Sequence, residues 1–581
     1  MAKVLGIHIG HDSTAALVID GEVIASVSEE RFNRIKHYAG LPVEAITYCL
    51  EAGKLSFEDL DEVALTSAWS QPDKLMQLMN LRLEPIKEKD VDQRGDGVLD
   101  RVINLAREAY RAWRPEDTAT EVPPIYFHNK WKSGRAIPAR RVEHHLAHAA
   151  SAFHSSGLSE PTLVFTADGI GNRRSVCVWR AKLPADFELL YSEGGSGSLG
   201  WFYGLVTEGL GWWVGDGEGK TMGLAPYGNP DNAKGVLDKY CPHYQNGRLV
   251  RPHDFGRIGA WLDTGTFHWH FPESAEIYEL IKKYGREDIA AEAQRVLEHE
   301  MIPFIQHWLK QENTRKACFA GGLMLNVKMN QRLWESGALD LQHIFSEAGD
   351  AGLAAGAALY ANAALGGPVS REPIRHIYWG PQYEDSYIED LLKERGLRYT
   401  KAADVVGATA ERLAAGKIVG WFQGRMEAGP RALGARSILM DTSKAEHKDI
   451  INARVKFREG FRPFCPSMTS KAAKELLDPR ARAEHFMITS FDVQPSQRHR
   501  IPAVVHADGT ARPQVVDETV NPLFHRLLVE FGKRSGTECL LNTSFNIKGE
   551  PIVCHPREAI RCFFDTGLDS LVLGSFILDK D

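Results

Sequence analysis

One unit, an apolar strand that runs through an aspartate-bearing turn into a second apolar strand, occurs twice in this chain, and that repetition limits the possible folds most. Residues 4–9 are apolar, His11-Asp12-Ser13-Thr14 interrupts them, and residues 15–19 are apolar again. Asp20-Gly21 is a two-residue turn signal, and residues 22–28 alternate as the next hairpin strand would. Residues 162–166 form another apolar strand that ends in Ala167-Asp168-Gly169-Ile170-Gly171, and residues 176–180 are placed to pair with it. Two such units predict a duplicated α/β architecture.

A chain of 581 residues is too long for a single core and is expected to divide into about two or three domains. An Ala/Gly-rich helix end over residues 359–367 runs into Pro368-Val369-Ser370-Arg371-Glu372-Pro373, which puts a domain boundary between 1–368 and 374–581. Beyond it the pattern predicts a helix over 408–415 and strands over 418–422, 501–505 and 538–541. Residues 70–125 and 229–300 read as mixed, helical insertions. A net charge of −7 argues against a general nucleic-acid binder. No apolar stretch has the length of a membrane span, and the start, MAKVLGIHIG, lacks the apolar region of a signal peptide, so a cytoplasmic protein is expected. The eight cysteines form no CxxC pair and read as buried free thiols.

Three groups of residues carry chemistry. In Glu143-His144-His145-Leu146-Ala147-His148, His144 and His148 are four apart and share one helix face, as two ligands of one metal ion would. His145 points elsewhere and reads as packing. Asp168 at its strand end and Asp350 in Gly349-Asp350-Ala351-Gly352 are candidates to complete the set. Structural histidines and helix N-caps remain the alternative for each residue taken singly. Imidazole and carboxylate together leave Fe, Mn, Zn and Mg open. A second group comprises the turn at His11-Asp12 and the turn at Gly321-Gly322 to Asn326, each of which, taken alone, reads as a plain tight turn ahead of phosphate binding; neither is a Walker or Rossmann motif. The run from Glu193 to Gly200 reads as a mobile loop. The third group is Arg425 to Arg436, then Lys456, Arg458, Arg462 and Arg512, then Asn542-Thr543-Ser544-Phe545-Asn546. These cations are interleaved with Gly, Pro, Phe and Cys, which favours a partly enclosed anion site over a solvated basic face.

The chain resembles the O-carbamoyltransferases that modify antibiotics and nodulation factors. The resemblance is carried by Glu29-Glu30-Arg31-Phe32-Asn33-Arg34-Ile35-Lys36-His37, by His144 to His148, by Gly219-Lys220-Thr221-Met222-Gly223-Leu224-Ala225-Pro226-Tyr227-Gly228 and by Gly429-Pro430-Arg431-Ala432-Leu433-Gly434-Ala435-Arg436. It continues through Phe461-Arg462-Pro463-Phe464-Cys465-Pro466, His506 to Arg512 and Asn542 to Asn546, and so spans the whole chain; Cys465 stands where Ala is expected. The resemblance implies an actin-like, duplicated ribonuclease-H-like N-terminal domain and a YrdC-like α/β C-terminal domain. It implies that carbamoyl phosphate and ATP form a carbamoyl adenylate in the C-terminal domain, whose carbamoyl group then passes to a hydroxyl of a small-molecule acceptor of secondary metabolism. It further implies His144, His148, Asp168 and Asp350 as metal ligands, and Arg431, Lys456, Arg462, Arg512, Ser544 and Asn546 as holders of carbamoyl phosphate and the adenylate. His11, Asp12, Lys36 and Lys220 would lie at the transfer site, with His11 or a metal-bound hydroxide the candidate base. The adenylate would rest against Gly321, Gly322 and Asn326. No nucleic-acid or membrane partner is expected. Trp201, Trp212 and Trp213 are candidates to stack on an acceptor ring or to pack in the core. Two rivals are a tRNA threonylcarbamoyl-type transferase, which predicts a basic surface, and an actin-fold small-molecule kinase, which needs neither the metal site nor the Arg-rich second domain.

Overall fold

The structure is a computed structural model that describes residues 2–67, 119–125, 135–262 and 264–580. The N-terminal hairpin signals fold as read: β1 (Lys3–His8), β2 (Thr14–Ile19) and β3 (Glu22–Ser28) form an antiparallel meander. β4 (Glu62–Thr66) pairs parallel with β1, β6 (Ile137–Val142) parallel with β4, and β5 (Ala119–Ile125) antiparallel at the edge, giving the order β3-β2-β1-β4-β6-β5. The same pattern recurs in a second sheet. There β7 (Thr162–Gly171), β8 (Arg174–Lys182) and β9 (Asp186–Glu193) make the meander, and β10 (Lys316–Ala320) and β11 (Leu341–Ile344) add on in parallel, in the order β11-β10-β7-β8-β9. This repeated topology is the duplicated, actin-like arrangement.

Four helices position the side chains of the N-terminal unit that carry chemistry: α1 (His144–His154), α2 (Leu199–Gly209), α3 (Glu218–Leu224) and α4 (Leu353–Ala364). α1 and α4 lie between the two sheets in one core with Val4, Ala16, Val164 and Trp179. They approach so closely that a Cβ on Gly356 would sit 2.0 Å from the Ala147 carbonyl oxygen, and one on Gly6 would sit 2.0 Å from that of Ala354. The alanine-rich sequence of α4 is thus a packing requirement, because larger side chains would hold sheet and helix apart.

After α4 the chain runs without regular structure until the helix Asp385–Glu394. An eight-stranded mixed sheet follows, built from β12 (Thr400–Lys401), β13 (Val419–Phe422), β14 (Arg436–Asp441), β15 (Cys465–Thr469), β16 (Gln514–Val516), β17 (Cys539–Ser544), β18 (Ser570–Leu573) and β19 (Phe576–Asp579). Its order is β12-β19-β18-β13-β14-β17-β15-β16. This is the expected C-terminal α/β unit. It is fastened to the first unit by Arg31 Nη2 donating to the Gly429 carbonyl at 2.9 Å, by Arg425 Nη2 to that of Ile24 at 2.8 Å, and by Lys328 Nζ to Thr510 Oγ1 at 3.0 Å.

Two expectations need correction. Residues 501–505 form no strand: Pro502 has no N–H for a ladder and opens a 3-10 turn, Pro502–Val504, while Ile501, Ala503 and Val504 are buried in the core. The stretch 229–300 is not simply inserted, because the helix Arg286–Gln311 that begins in it covers the second sheet, with Phe304 against Phe165 at 6.4 Å between ring centroids. Residues 70–118 of the other expected insertion lie outside the described residues. All eight cysteines are free and buried, as expected. No helix among the described residues is long and apolar enough to cross a membrane.

The close crossing of α1 and α4 is testable by stability. Gly356→Val should lower ΔG of unfolding by about 1–3 kcal/mol, seen as a lower urea midpoint at unchanged slope. Gly219→Ala, whose Cβ meets nothing within 4 Å, should leave the midpoint unchanged or slightly raised.

Candidate active site

The first cluster forms where α1, β7 and the turn into α4 converge. Glu143 caps α1, its Oε2 accepting the Leu146 N–H at 2.8 Å, and the helix carries His144 and His148 inward, both fully buried. Asp168 sits in an irregularity of β7, between Ala167 and Gly171, that turns its carboxylate toward them. Asp350 opens the turn into α4. His148 Nε2 lies 3.2 Å from Asp168 Oδ2 and 3.6 Å from Asp350 Oδ1, and His144 Nε2 lies 3.4 and 3.7 Å from the same atoms. One donor atom from each of the four residues falls within 4.8 Å of the others. Burial opposes charge on His148, yet the two carboxylates outweigh it and raise its pKa to about 9. Burial pushes Asp168 upward, and its hydrogen bonds from His144 and His148 reverse this and hold it well below the usual carboxylate range. Two buried carboxylates thus force a proton onto an imidazole, a charge that a divalent cation would supply instead. Both Nε2 atoms face the carboxylates, so the donor set fits such an ion. His145 is structural, as expected, bonding Thr166 Oγ1 at 2.9 Å and the Arg174 carbonyl at 2.8 Å.

Gly321 and Gly322 lie directly on this cluster. Gly321 has φ +99°, and a Cβ there would sit 2.1 Å from the Ala167 carbonyl oxygen; one on Gly322 would sit 2.9 Å from Asp168 Oδ1. Asn326 is differently employed: it caps the helix Val327–Glu335 through the Met329 N–H at 3.0 Å and exchanges hydrogen bonds with Gln294 at 2.9 and 3.1 Å. Its polar atoms are therefore taken up by the fold.

A line of polar groups leads outward from Asp350. His11 Nε2 is 3.2 Å from Asp350 Oδ2, and its Nδ1 is 3.0 Å from Asp12 Oδ2. Asp12, held at φ +58°, is a strained non-glycine residue whose other oxygen lies 2.7 Å from His37 Nδ1. His37 Nε2 reaches Asp216 Oδ1 at 3.3 Å, and Asp216 also pairs with Lys36 and, at 3.6 Å, with Lys220. Burial disfavours the charged form of His11, but Asp350 and Asp12 raise its pKa to about 9. Burial likewise opposes charge on His37, and Asp12 with Asp216 raises it to about 10. Lys36, Lys220, His11 and Asp12 are thus brought together as expected. His37 and Asp216, which complete the line, were not among the expected site residues. Their signals were His37 closing the Glu29 to His37 motif and Asp216 four residues before Lys220.

The second cluster is cationic and belongs to the C-terminal unit. Lys456 Nζ donates to Asn546 Oδ1 at 2.8 Å, to the Asn546 carbonyl at 3.1 Å, to Ser544 Oγ at 3.4 Å and, more closely, to the Ser544 carbonyl. Burial, reinforced by Arg458 and Arg462, presses its pKa well below the usual lysine value. Burial lowers Arg431 to about 9, with Arg512 and Arg462 adding to the effect, and lowers Arg458 to about 9, aided by Arg462 and then Arg512. Arg512 Nε donates to Cys465 Sγ at 3.0 Å, so the one departure from the family's pattern touches this site. Among the described residues, the carboxylate paired with these cations is Glu459, 4.0 Å from Arg462. Such an excess of buried positive charge is suited to phosphate oxygens.

The two clusters are neighbours. Phe461 lies 6.0 Å from Trp212 and 6.5 Å from Tyr227 between ring centroids, and a Cβ on Gly223 in α3 would sit 3.3 Å from Pro463 Cδ. Asp216 acts electrostatically on Arg462, and Lys220 on Glu459.

The family model Carbamoyltransferase N-terminus matches residues 3–359, and Carbamoyltransferase C-terminus matches residues 410–580. Nodulation protein NolNO of Sinorhizobium fredii is 36% identical over 580 residues, covering 98% of this chain and 79% of its own. Nodulation protein NolO of Bradyrhizobium diazoefficiens is 36% identical over 455 residues, 76% of this chain and 79% of its own. Protein sll1178 of Synechocystis is 32% identical, covering 100% of this chain and 97% of its own. Among solved structures, (R)-2-hydroxyglutaryl-CoA dehydratase component A of Acidaminococcus fermentans superposes with a TM-score of 0.33 at 15% identity, over 63% of this chain and 100% of its own, too slight a likeness to add to the repeated sheet topology.

The four-residue cluster should bind a divalent metal, with affinity reduced at least about tenfold by Asp168→Asn or His148→Ala and unchanged by Arg512→Ala, as measured by elemental analysis after gel filtration. Because His148 with a pKa near 9 carries a proton at neutral pH, metal uptake at pH 7 should release protons, and less so above pH 9. Calorimetry in buffers of different ionisation enthalpy reads that release.

Proposed function

The chain belongs to the carbamoyltransferase family, and from that premise we propose that it uses carbamoyl phosphate and ATP to place a carbamoyl group on a hydroxyl of a small-molecule acceptor by way of a carbamoyl adenylate. The observation that carries this reading is the cation cluster around Lys456 lying beside the carboxylate–imidazole line that ends at Asp350. Residues 374–581 would make the adenylate, and residues 1–368 would transfer its carbamoyl group.

In the first step water hydrolyses carbamoyl phosphate to carbamate and phosphate, and a carbamate oxygen attacks the α-phosphorus of ATP as pyrophosphate leaves. Arg431, Arg462 and Arg512 offset the charge that develops on the phosphoryl oxygens. Ser544 and Asn546 hold the Lys456 amino group in place, where a phosphate bound beside it would favour its charged form. In the second step the acceptor oxygen attacks the carbamoyl carbon and AMP leaves. His11 is positioned to take the acceptor's proton at Nε2, its other nitrogen being oriented by Asp12. A divalent metal held by His144, His148, Asp168 and Asp350 would polarise the reacting oxygens. With the charge of Asp350 offset by such an ion, His11 would give up the proton it otherwise holds and stand neutral, its Nε2 then able to accept the acceptor's proton. The adenylate would lie beside the Gly321–Gly322 turn, whose close packing on Ala167 and Asp168 brings it next to the four-residue cluster.

Incubation with ATP and carbamoyl phosphate should release pyrophosphate and yield carbamoyl-AMP by mass spectrometry; no carbamoyl-phosphate-dependent pyrophosphate would sink the proposal. Arg512→Ala or Lys456→Ala should slow that half-reaction by about 10²–10³-fold while leaving bound metal in place. His11→Asn should leave adenylate formation intact and abolish carbamoyl transfer to a panel of hydroxylated metabolites; loss of both steps would remove His11 from its assigned role.

A further inference from the structure

A cavity of about 330 Å³ lies where β11, the segment connecting the two units and the C-terminal unit meet. Its lining comes from His343 and Ile344, from residues 372–375, and from residues 482–486 with Ile488; no residue of the cationic cluster lines it. His343 Nε2 shares a hydrogen bond with Ser155 Oγ at 2.8 Å, and the Ser155 carbonyl accepts the Ile374 N–H at 2.9 Å. A Cβ on Gly157 would sit 2.6 Å from the Pro373 nitrogen, so the connecting segment is pressed onto the end of α1. On the opposite wall, the Val515 N–H donates to the Glu484 carbonyl at 2.6 Å. Ser155 follows the C-terminal end of α1, on the order of 16 Å along the helix from His144. The cavity is therefore separate from the metal cluster at the other end of that helix.

Two polar atoms in its lining are buried without a hydrogen-bond partner among the described residues. The Glu484 side chain is 2% exposed; its Oε1 accepts the Phe486 N–H at 3.0 Å, and its Oε2 is unbonded. Arg482 is anchored by Nη2, which donates to Thr489 Oγ1 at 3.0 Å, while its Nε is unbonded. The two residues approach each other only to 3.6 Å, Nη2 to Oε2. An acceptor and a donor left unbonded at such depth are costly, and a ligand that bonds both recovers that cost.

The rest of the lining narrows the class of ligand. Ile344, Phe486 and Ile488 are buried and offer apolar faces to a flat ring, and the volume is that of a small-molecule site. One free acceptor beside one free donor matches a base edge with a single amino group next to a ring nitrogen, as in adenine. Guanine would bring a further N–H for which no acceptor is left. At the mouth Glu372 is exposed and Arg375 is already paired with Asp517, which disfavours a phosphate. Burial, with Arg482 adding to it, lowers His343 to about 3, so this ring is neutral at pH 7. We propose that the cavity binds a purine nucleoside of the adenosine type, its base donating to Glu484 Oε2 and accepting from Arg482 Nε. Because the walls belong to both units and to their connecting segment, the bound nucleoside clamps the two units together.

Isothermal calorimetry on the full-length protein with adenosine, in the presence of a saturating non-hydrolysable ATP analogue, tests this. Saturable binding is expected, with an unfolding temperature that rises as adenosine is added. Glu484→Gln keeps an acceptor for the Phe486 N–H but presents a donor at the second position, and should weaken binding at least about tenfold. Ala483→Trp places a bulky side chain at the mouth from an exposed position, and should abolish binding while leaving the unfolding temperature of the ligand-free protein unchanged. That variant carries the test if Glu484→Gln does not fold. Guanosine and AMP should each bind at least about tenfold more weakly than adenosine. The proposal is overturned by no saturable binding up to the solubility of adenosine, by displacement with the ATP analogue, by binding indifferent to Ala483→Trp, or by guanosine or AMP binding as tightly as adenosine.

Discussion

Two aspartates, Asp168 and Asp350, with accessible side-chain fractions of 17% and 3%, point at each other's histidine partners in the interior, and the N-terminal unit is organised around compensating them. Each lies at the end of an element that leaves the second sheet or enters the layer between sheets, and the imidazoles that meet them come from α1 in that same layer. Unpaired carboxylates at such depth are untenable, so the geometry of α1, β7 and α4 is tied to the charge that joins them. The glycine contacts that let α1 and α4 cross closely serve the same end, since His148 and Asp350 meet only if those helices do.

A second consequence is the division of charge. The N-terminal side concentrates carboxylates at Asp12, Asp168, Asp216 and Asp350, whereas the C-terminal side concentrates Arg431, Lys456, Arg458, Arg462 and Arg512. The carboxylates are compensated locally by His11, His37, His148, Lys36 and Lys220, whereas the cations have Glu459 as their paired carboxylate among the described residues. They meet where α3 faces residues 457–463, and there the pairing is mixed, with Asp216 acting on Arg462 and Lys220 on Glu459. For a carbamoyltransferase that makes a reactive phosphate-bearing intermediate, as proposed, this seam has both signs of charge available at short range.

Much of this was legible in the sequence where the signal was local. The spacing of His144 and His148 fixes a shared helix face, and both strand meanders are marked by turns that need only neighbouring residues. The arginines could be read as an anion site because Gly, Pro, Phe and Cys between them are incompatible with a solvated helix. Segment 501–505 was misread because its apolar pattern fits a buried turn as well as a strand, and Pro502 decides between them. His37 and Asp216 escaped because their pairing joins segments about 180 residues apart in sequence. Asn326 follows a glycine turn whatever its role, and only its partners Met329 and Gln294 identify it as a cap.

The spacing between the two clusters has its own fixed point. Glu347 lies three residues before Asp350, and Gly429 two before Arg431; a Cβ on Gly429 would sit 3.0 Å from Glu347 Cγ. Gly429 has φ +85°, and its carbonyl accepts Arg31 Nη2 at 2.9 Å, so its backbone is held from the N-terminal side. Burial raises the Glu347 carboxyl to about 8, with Arg31 opposing, so it is largely a neutral acid at pH 7 and adds little charge to the seam. A protonated Glu347 can press against Gly429 without repelling the metal-side aspartates, which an ionised one at this depth would do. The contact of Glu347 with Gly429 thereby joins the segment that carries Asp350 to the one that carries Arg431, and a side chain at position 429 would meet both the Glu347 methylene and a backbone held at positive φ.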